Sequence, residues 1–150
     1  MSRSLQRGAS LATAIFLIVI LAVLGAYIAT VSSLHHTSSV LDLQGSRAYQ
    51  AARSGIEWSA YQVFQHSAGA FATNCNAGPA SQSFSGLTGT LSDFTVTVAC
   101  SSVQFSEITA ATGRVYVLTA TACNQPTGGN CPGLLGPRYV ERQLQVTMAR

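Results

Sequence analysis

The chain has 150 residues, a formal net charge of +3 and only 9% charged residues; its eight basic residues are all Arg. The lack of Lys excludes Schiff-base and lysine-base chemistry. Arg3 and Arg7 stand at the start, so residues 9–150 set six Arg against Asp42, Glu57, Asp93, Glu107 and Glu141, and that net charge of +1 offers no basic patch for a nucleic-acid partner.

From Ala9 to Val31 the chain is apolar, and no charge falls between Arg7 and Asp42. As a helix this run measures about 34 Å, enough to cross a bilayer core of about 30 Å. A cleaved secretory signal would have a shorter apolar region ending at a small-x-small site; this run is longer, and no Ala-x-Ala closes it. An ordinary single-pass anchor meets the length requirement. The third reading is a prepilin leader, in which the cut falls before the apolar helix and the helix is retained. Its features are a basic leader at residues 1–8, Gly8 at its end, and Ser10 and Leu11 just beyond.

These residues resemble the class III signal of type IV pilins and pseudopilins. The resemblance implies that a prepilin peptidase cuts between Gly8 and Ala9 and methylates the new amine of Ala9. There are two departures. Ala9 stands where major pilins usually carry Phe, and Thr13 stands where they usually carry Glu. In that family the Glu is thought to pair with the N-terminal amine of a neighbouring subunit, since a carboxylate in lipid needs a partner. Thr13 leaves that contact unmade, which fits a minor pilin, at a filament tip above all, better than a bulk subunit. Two Arg before the span and acidic Asp42 after it put the N-terminus in the cytoplasm and residues 32–150 outside, by the positive-inside rule.

Beyond Val31 a helical pattern continues through residues 32–66. Ser38, Leu41, Gly45, Ala48, Ala52, Gly55 and Ser59 recur at three- and four-residue spacing and form a stripe of mostly small residues on one face. Gly45 and Gly55 each cost about 1 kcal/mol in a free helix, so close packing must offset them. Ile56, Trp58, Tyr61, Val63 and Phe64 add bulk at the far end, against a sheet. The helix should end near Gln65–Gly69. Two helices with a break near Ser32–Ser39 are the alternative.

Residues 67–92 are rich in Ser, Gly, Ala and Asn and read as a long connection, with a short strand around Ser83–Leu91. Three strands follow. Phe94, Val96 and Val98 alternate with Thr95 and Thr97; Val115–Ala120 is β-prone on both faces; Val140, Leu144, Val146 and Met148 share a face with Arg142. No crossover helix lies between them, so the sheet should be antiparallel. The expected fold class is α+β, pilin-like: a long N-terminal helix, its first half membrane-spanning, packed on a small antiparallel sheet within residues 67–150.

Four cysteines in an exported domain imply two disulfides. Cys123 and Cys131 bracket a turn-rich loop of Pro, Gly and Asn that brings its ends together, leaving Cys75 for Cys100. The rival pairing is Cys100 with Cys123 and Cys75 with Cys131. No Cys-x-x-Cys spacing suggests a metal. His35 and His36 point about 100° apart on a helix and do not chelate together; His66 stands at the helix end. No His-Glu-x-x-His, Gly-x-Ser-x-Gly, phosphate loop or carboxylate pair appears, so no enzyme, cofactor or small-molecule substrate is expected.

Further stretches carry a second resemblance. Ala51-Ala52-Arg53-Ser54-Gly55-Ile56-Glu57-Trp58 resembles the Ala-Ala-x-x-Gly-x-Glu-Trp segment of MshP-like proteins, pilin-like components of the mannose-sensitive haemagglutinin pilus system that are similar to PilX-type minor pilins. Phe94–Cys100, Leu118–Ala122 and Tyr139–Leu144 resemble that family as well. The implied function is a non-catalytic minor subunit in type IV pilus assembly, possessing a single inner-membrane span and a periplasmic domain, and joining the pilus after assembly. The implied partners are the prepilin peptidase, other major and minor pilins, the assembly platform and the inner membrane. A pseudopilin of type II secretion and an uncleaved, membrane-anchored binding module of the cell envelope are the alternatives.

Overall fold

The computed structural model describes residues 7–106 and 112–150. In order, the elements are α1 (Arg7–Phe64), α2 (Ala70–Ala77), β1 (Ala80–Phe84), a 3-10 turn (Gly89–Leu91), β2 (Thr95–Ser106), β3 (Thr112–Cys123) and β4 (Glu141–Ala149). The chain divides into two units, Met1–Val40 and Leu41–Arg150. Arg3 of the leader and Glu107 lie outside the described residues, as do the side chains of Ala9, Ser10, His35 and His36.

The first unit is the N-terminal part of α1. Its helical backbone runs through Ser32–Ser39, so the alternative break there is not present. Serine, threonine and histidine are only mildly poor helix formers, and a few of them do not stop an established helix.

The second unit holds the rest of α1, α2 and the sheet. Its four strands form an antiparallel meander in the order β1-β2-β3-β4. Register follows the side-chain alternation. Val96, Val98 and Cys100 of β2 lie beside Ala122, Ala120 and Leu118 of β3, and Leu118 and Ala120 lie beside Val146 and Leu144 of β4. All six of the β2 and β3 residues are buried on one face, with Leu144 and Met148 packed against them. Ala48, Ala51, Ala52 and Val63 of α1 join the same core. The fold is thus α+β and its sheet antiparallel throughout, as the lack of a crossover helix between the strands indicated.

α1 stops at Phe64, a little before the expected Gln65–Gly69. The amides of Gln65 and His66 both turn back to the carbonyl of Tyr61, at 2.8 and 3.1 Å, which closes the last turn. Tyr61 differs from the expectation: it is 58% exposed and points away from the sheet, while Val63 takes the buried position. The connection over residues 67–92 also differs, for it contains a helix. α2 is only eight residues long and has no side-chain cap, so helical propensity does not sustain it alone. Phe71 of α2 meets Trp58 of α1 edge-on at 5.1 Å, and Cys75 is bonded to β2, and these contacts hold it. The short strand falls at Ala80–Phe84, earlier than Ser83–Leu91, because its place is set by pairing Ala80 with Cys100 and Phe84 with Val96.

Candidate functional site

The first feature is an apolar surface. Leu11–Ser32 of α1 is long and apolar enough to cross a membrane, and none of it is buried. Leu11, Phe16, Ile18 and Leu21 are each more than 60% exposed. A contiguous apolar surface of this kind marks a membrane or partner contact. Thr13 lies within this stretch on an exposed helical position. Gly8 and Ala9 fall in the first turn of α1, which begins at Arg7.

The second feature is the seam between α1 and the sheet. Gly45, Ala48, Ala52, Gly55 and Ser59 are all buried, joined by Ala51; Leu41 of the same stripe stays 42% exposed. Gly55 sits close against the strands. A Cβ there would stand 2.6 Å from Val96 Cγ1, 3.0 Å from Ala120 Cβ and 3.2 Å from Val98 Cγ2. Gly45 is covered differently, by the guanidinium of Arg142, whose Nη2 would lie 3.0 Å from a Cβ. Ser59 keeps its hydroxyl satisfied inside the seam by donating to the carbonyl of Ile56 at 2.9 Å.

The outer face of the sheet is covered at one end by the loop between β3 and β4. Cys123 is bonded to Cys131 and Cys75 to Cys100, with Cα separations of 5.8 and 5.6 Å. Between Cys123 and Cys131 the chain reverses at Gly128 and Gly129, both at positive φ, while Thr127 and Asn130 exchange backbone hydrogen bonds. The loop then rests on the strands: Cys131 N–H donates to Thr97 Oγ1 at 2.8 Å, and Ser83 Oγ donates to Asn130 Oδ1 at 2.7 Å. Tyr139 receives the N–H of Gly133 and donates its own hydroxyl proton to Glu141. Burial first, then that bond to Glu141, pushes the Tyr139 phenol above its ordinary value.

A third feature, at the opposite end of the sheet, has no motif in the sequence. Arg114 donates through Nη1 to the carbonyl of Asn76 at 3.1 Å and to Ser102 Oγ at 3.0 Å, and through Nη2 to Gln104 Oε1 at 3.1 Å. Buried Tyr116 donates to Asn76 Oδ1 at 2.9 Å, and Ser102 Oγ donates to the Cys75 carbonyl at 2.7 Å. These bonds tie the end of α2 to β2 and β3. Strand register and the Cys75–Cys100 bond together bring these residues into one place from three separate stretches of the chain.

Among the described residues no three of His, Cys, Asp and Glu converge as a metal site would require. Among them the one ion pair is Arg53–Glu57, an exposed i,i+4 pair at 3.0 Å on α1, worth a few tenths of a kcal/mol at about the level of other surface helix pairs. His66 Nδ1 lies 3.2 Å from Gln62 Oε1 on the helix surface. What the arrangement offers is an apolar helix surface and a disulfide-tied sheet. No family model matches this chain, and no curated protein or solved structure is significantly similar to it.

Proposed function

We propose that this chain is a pilin-like minor subunit, processed between Gly8 and Ala9, that serves the assembly of a type IV pilus of the mannose-sensitive haemagglutinin type. One observation carries the reading: a short basic leader closes on Gly8 directly before an apolar run that is helical and nowhere buried. A secretory signal is removed together with its apolar helix. A prepilin leader is removed alone, and the helix stays to hold the subunit in the inner membrane. Lipid covers the Leu11–Ser32 surface before assembly, and the helices of other pilins cover it afterwards. Thr13 in place of a carboxylate supports a minor position at the tip or in the priming complex. The two disulfides suit a periplasmic domain, where thiols are oxidised. On this reading the protein acts through the prepilin peptidase, other pilins and the assembly platform, and catalyses nothing.

The test is the intact mass and N-terminal sequence of the membrane-extracted protein, from cells with and without an active prepilin peptidase. The expected product begins at methylated Ala9 and depends on the peptidase. A start at Met1 or Ser2 in both backgrounds refutes the processing, and failure to co-purify with sheared pili or other minor pilins refutes the assembly role.

A further inference from the structure

We propose that the outer edge of β4 is a strand-addition site, where an extended, amphipathic segment of another protein joins the sheet as a further strand. The phase of the ladder leaves this edge open. Arg114 and Arg150 exchange backbone hydrogen bonds at 2.7 and 2.9 Å, and at the far end Asn124 N–H donates to the Val140 carbonyl at 3.3 Å. Between these ends the register of β3 with β4 is unbroken. In an antiparallel pair only every second residue bonds across the ladder. The even-numbered residues of β4 therefore bond to β3, and the N–H and C=O groups of Gln143, Gln145, Thr147 and Ala149 point away from it. β4 is the last strand of the sheet, and among the described residues nothing else bonds to these groups.

The two edges of the sheet are built differently. β1, at one edge, has only five residues, and its Ser83 is bonded to Asn130 of the β3–β4 loop. β4 has nine residues with no Pro and no bulge, and it carries no charge from Gln143 to Ala149. Short strands, Pro, bulges and charges are what keep an edge from pairing, and β4 has none of them along that run.

The occupant follows from the groups on offer. A row of N–H and C=O at strand spacing is matched by the backbone of another extended chain. On the helix side of the sheet Leu144, Val146 and Met148 are half-buried, and apolar side chains set beside them complete their burial. On the other side Gln143, Gln145 and Thr147 are exposed and suit polar neighbours. Arg142 heads the apolar row, exposed and with no ion pair among the described residues, so an acidic residue at that end of the segment completes the match. A second copy of this chain does not fit. Antiparallel pairing of β4 with β4 turns the helix of one copy end for end against the other, which two chains spanning one membrane do not allow. Parallel pairing turns the second copy over and sets Leu144, Val146 and Met148 beside Gln143, Gln145 and Thr147. The first of these exclusions rests on the membrane span of the proposed function; the open edge does not.

The experiment uses the full chain, ¹⁵N-labelled, in detergent micelles, and follows amide hydrogen exchange. The probe is the peptide acetyl-Val-Thr-Val-Thr-Val-Thr-Glu-amide, whose antiparallel register sets Glu opposite Arg142 and Val opposite Leu144, Val146 and Met148. Saturable protection is expected at the amides of Gln143, Gln145 and Thr147 alone, since those between them are already bonded to β3. A methyl on the amide of the middle Thr, which faces β4, should weaken binding about tenfold, and a methyl on the next Val amide, which faces away, should not. Q145P removes one outward N–H and no bond to β3, so it should weaken binding about tenfold while the denaturation midpoint stays near that of the parent. No protection at millimolar peptide, or equal protection by the two methylated peptides, overturns the proposal. Protection that arises without peptide and grows with protein concentration assigns the edge to a second copy and overturns it as well. A chain that still starts at Met1 refutes the pilus reading and leaves these outcomes unchanged.

Discussion

Replacing Gly by Ala at two points of the same helix should change stability in opposite directions. Each substitution in a helix interior gains about 1 kcal/mol of propensity. At Gly45 the new methyl meets the far end of the Arg142 side chain, which swings aside at little cost. G45A should therefore be more stable by about 0.5–1 kcal/mol. At Gly55 the methyl would stand 2.6 Å from Cγ1 of Val96 and 3.0 Å from Cβ of Ala120, both residues fully buried. Valine is stiff at χ1, so it yields less readily than the end of a long side chain. Overpacking of this kind costs about 3 kcal/mol at the upper end, so after the propensity gain G55A should lose about 2 kcal/mol. The assay is chemical denaturation of the full chain in micelles with disulfides intact, followed by fluorescence. Trp58 is the single tryptophan and packs on Phe71 and Phe84, so it reports the seam. If G55A proves as stable as G45A, the helix does not approach the sheet as closely as these distances state, and the packing argument fails.

Loop length ranks the two disulfides. Their separations of 25 and 8 residues correspond to about 3.5 and about 2.5 kcal/mol in the chain-entropy treatment, so C75A/C100A should unfold at lower denaturant than C123A/C131A. Because the folded chain holds the Tyr139 proton more tightly than the unfolded one, the stabilisation is complete below about pH 10 and is lost as pH rises through the folded value. Y139F should flatten that alkaline decline, measured as midpoints at a series of pH values. Phe105 lies across Gly113 on the neighbouring strand, covering backbone that has no side chain of its own. F105A should cost about 1 kcal/mol and speed amide exchange near Gly113.

The sheet and the seam were legible in the sequence because each has a period. Val96, Val98, Leu144 and Val146 alternate with polar neighbours, and Gly45, Ala48, Ala52, Gly55 and Ser59 recur at helical spacing. The loop of Cys123 and Cys131 was legible for a local reason as well, since Pro126, Gly128 and Gly129 reverse the chain within it. α2 was not legible: Ala70–Ala77 has no capping side chain, and its support comes from Cys100 and Trp58, which are distant in sequence. β1 was misplaced by a few residues because Ser81 and Gln82 carry no alternation, and only the register with β2 fixes them. The pairing of Arg114 with Arg150 depends on register across β3 and β4 and could not be read from either residue.

The two parts of α1 invert the usual relation between size and burial, and that inversion is the strongest physical statement the chain makes. In the second unit the helix buries its smallest residues, Gly45, Ala48, Ala51, Ala52 and Gly55. In the first, Ile15, Phe16, Leu17 and Ile18 are all more than half exposed. A helix folded only for water would place its large side chains inside, since burial of each contributes about 1.5–3 kcal/mol. The large residues of Leu11–Ser32 instead stand exposed along a stretch long and apolar enough to cross a membrane. The small residues follow from the other constraint. Strands carrying Ala120 and Ala122 admit a helix closely only if its contact face is equally small, and dispersion contacts over that short distance replace the area that large side chains would have supplied.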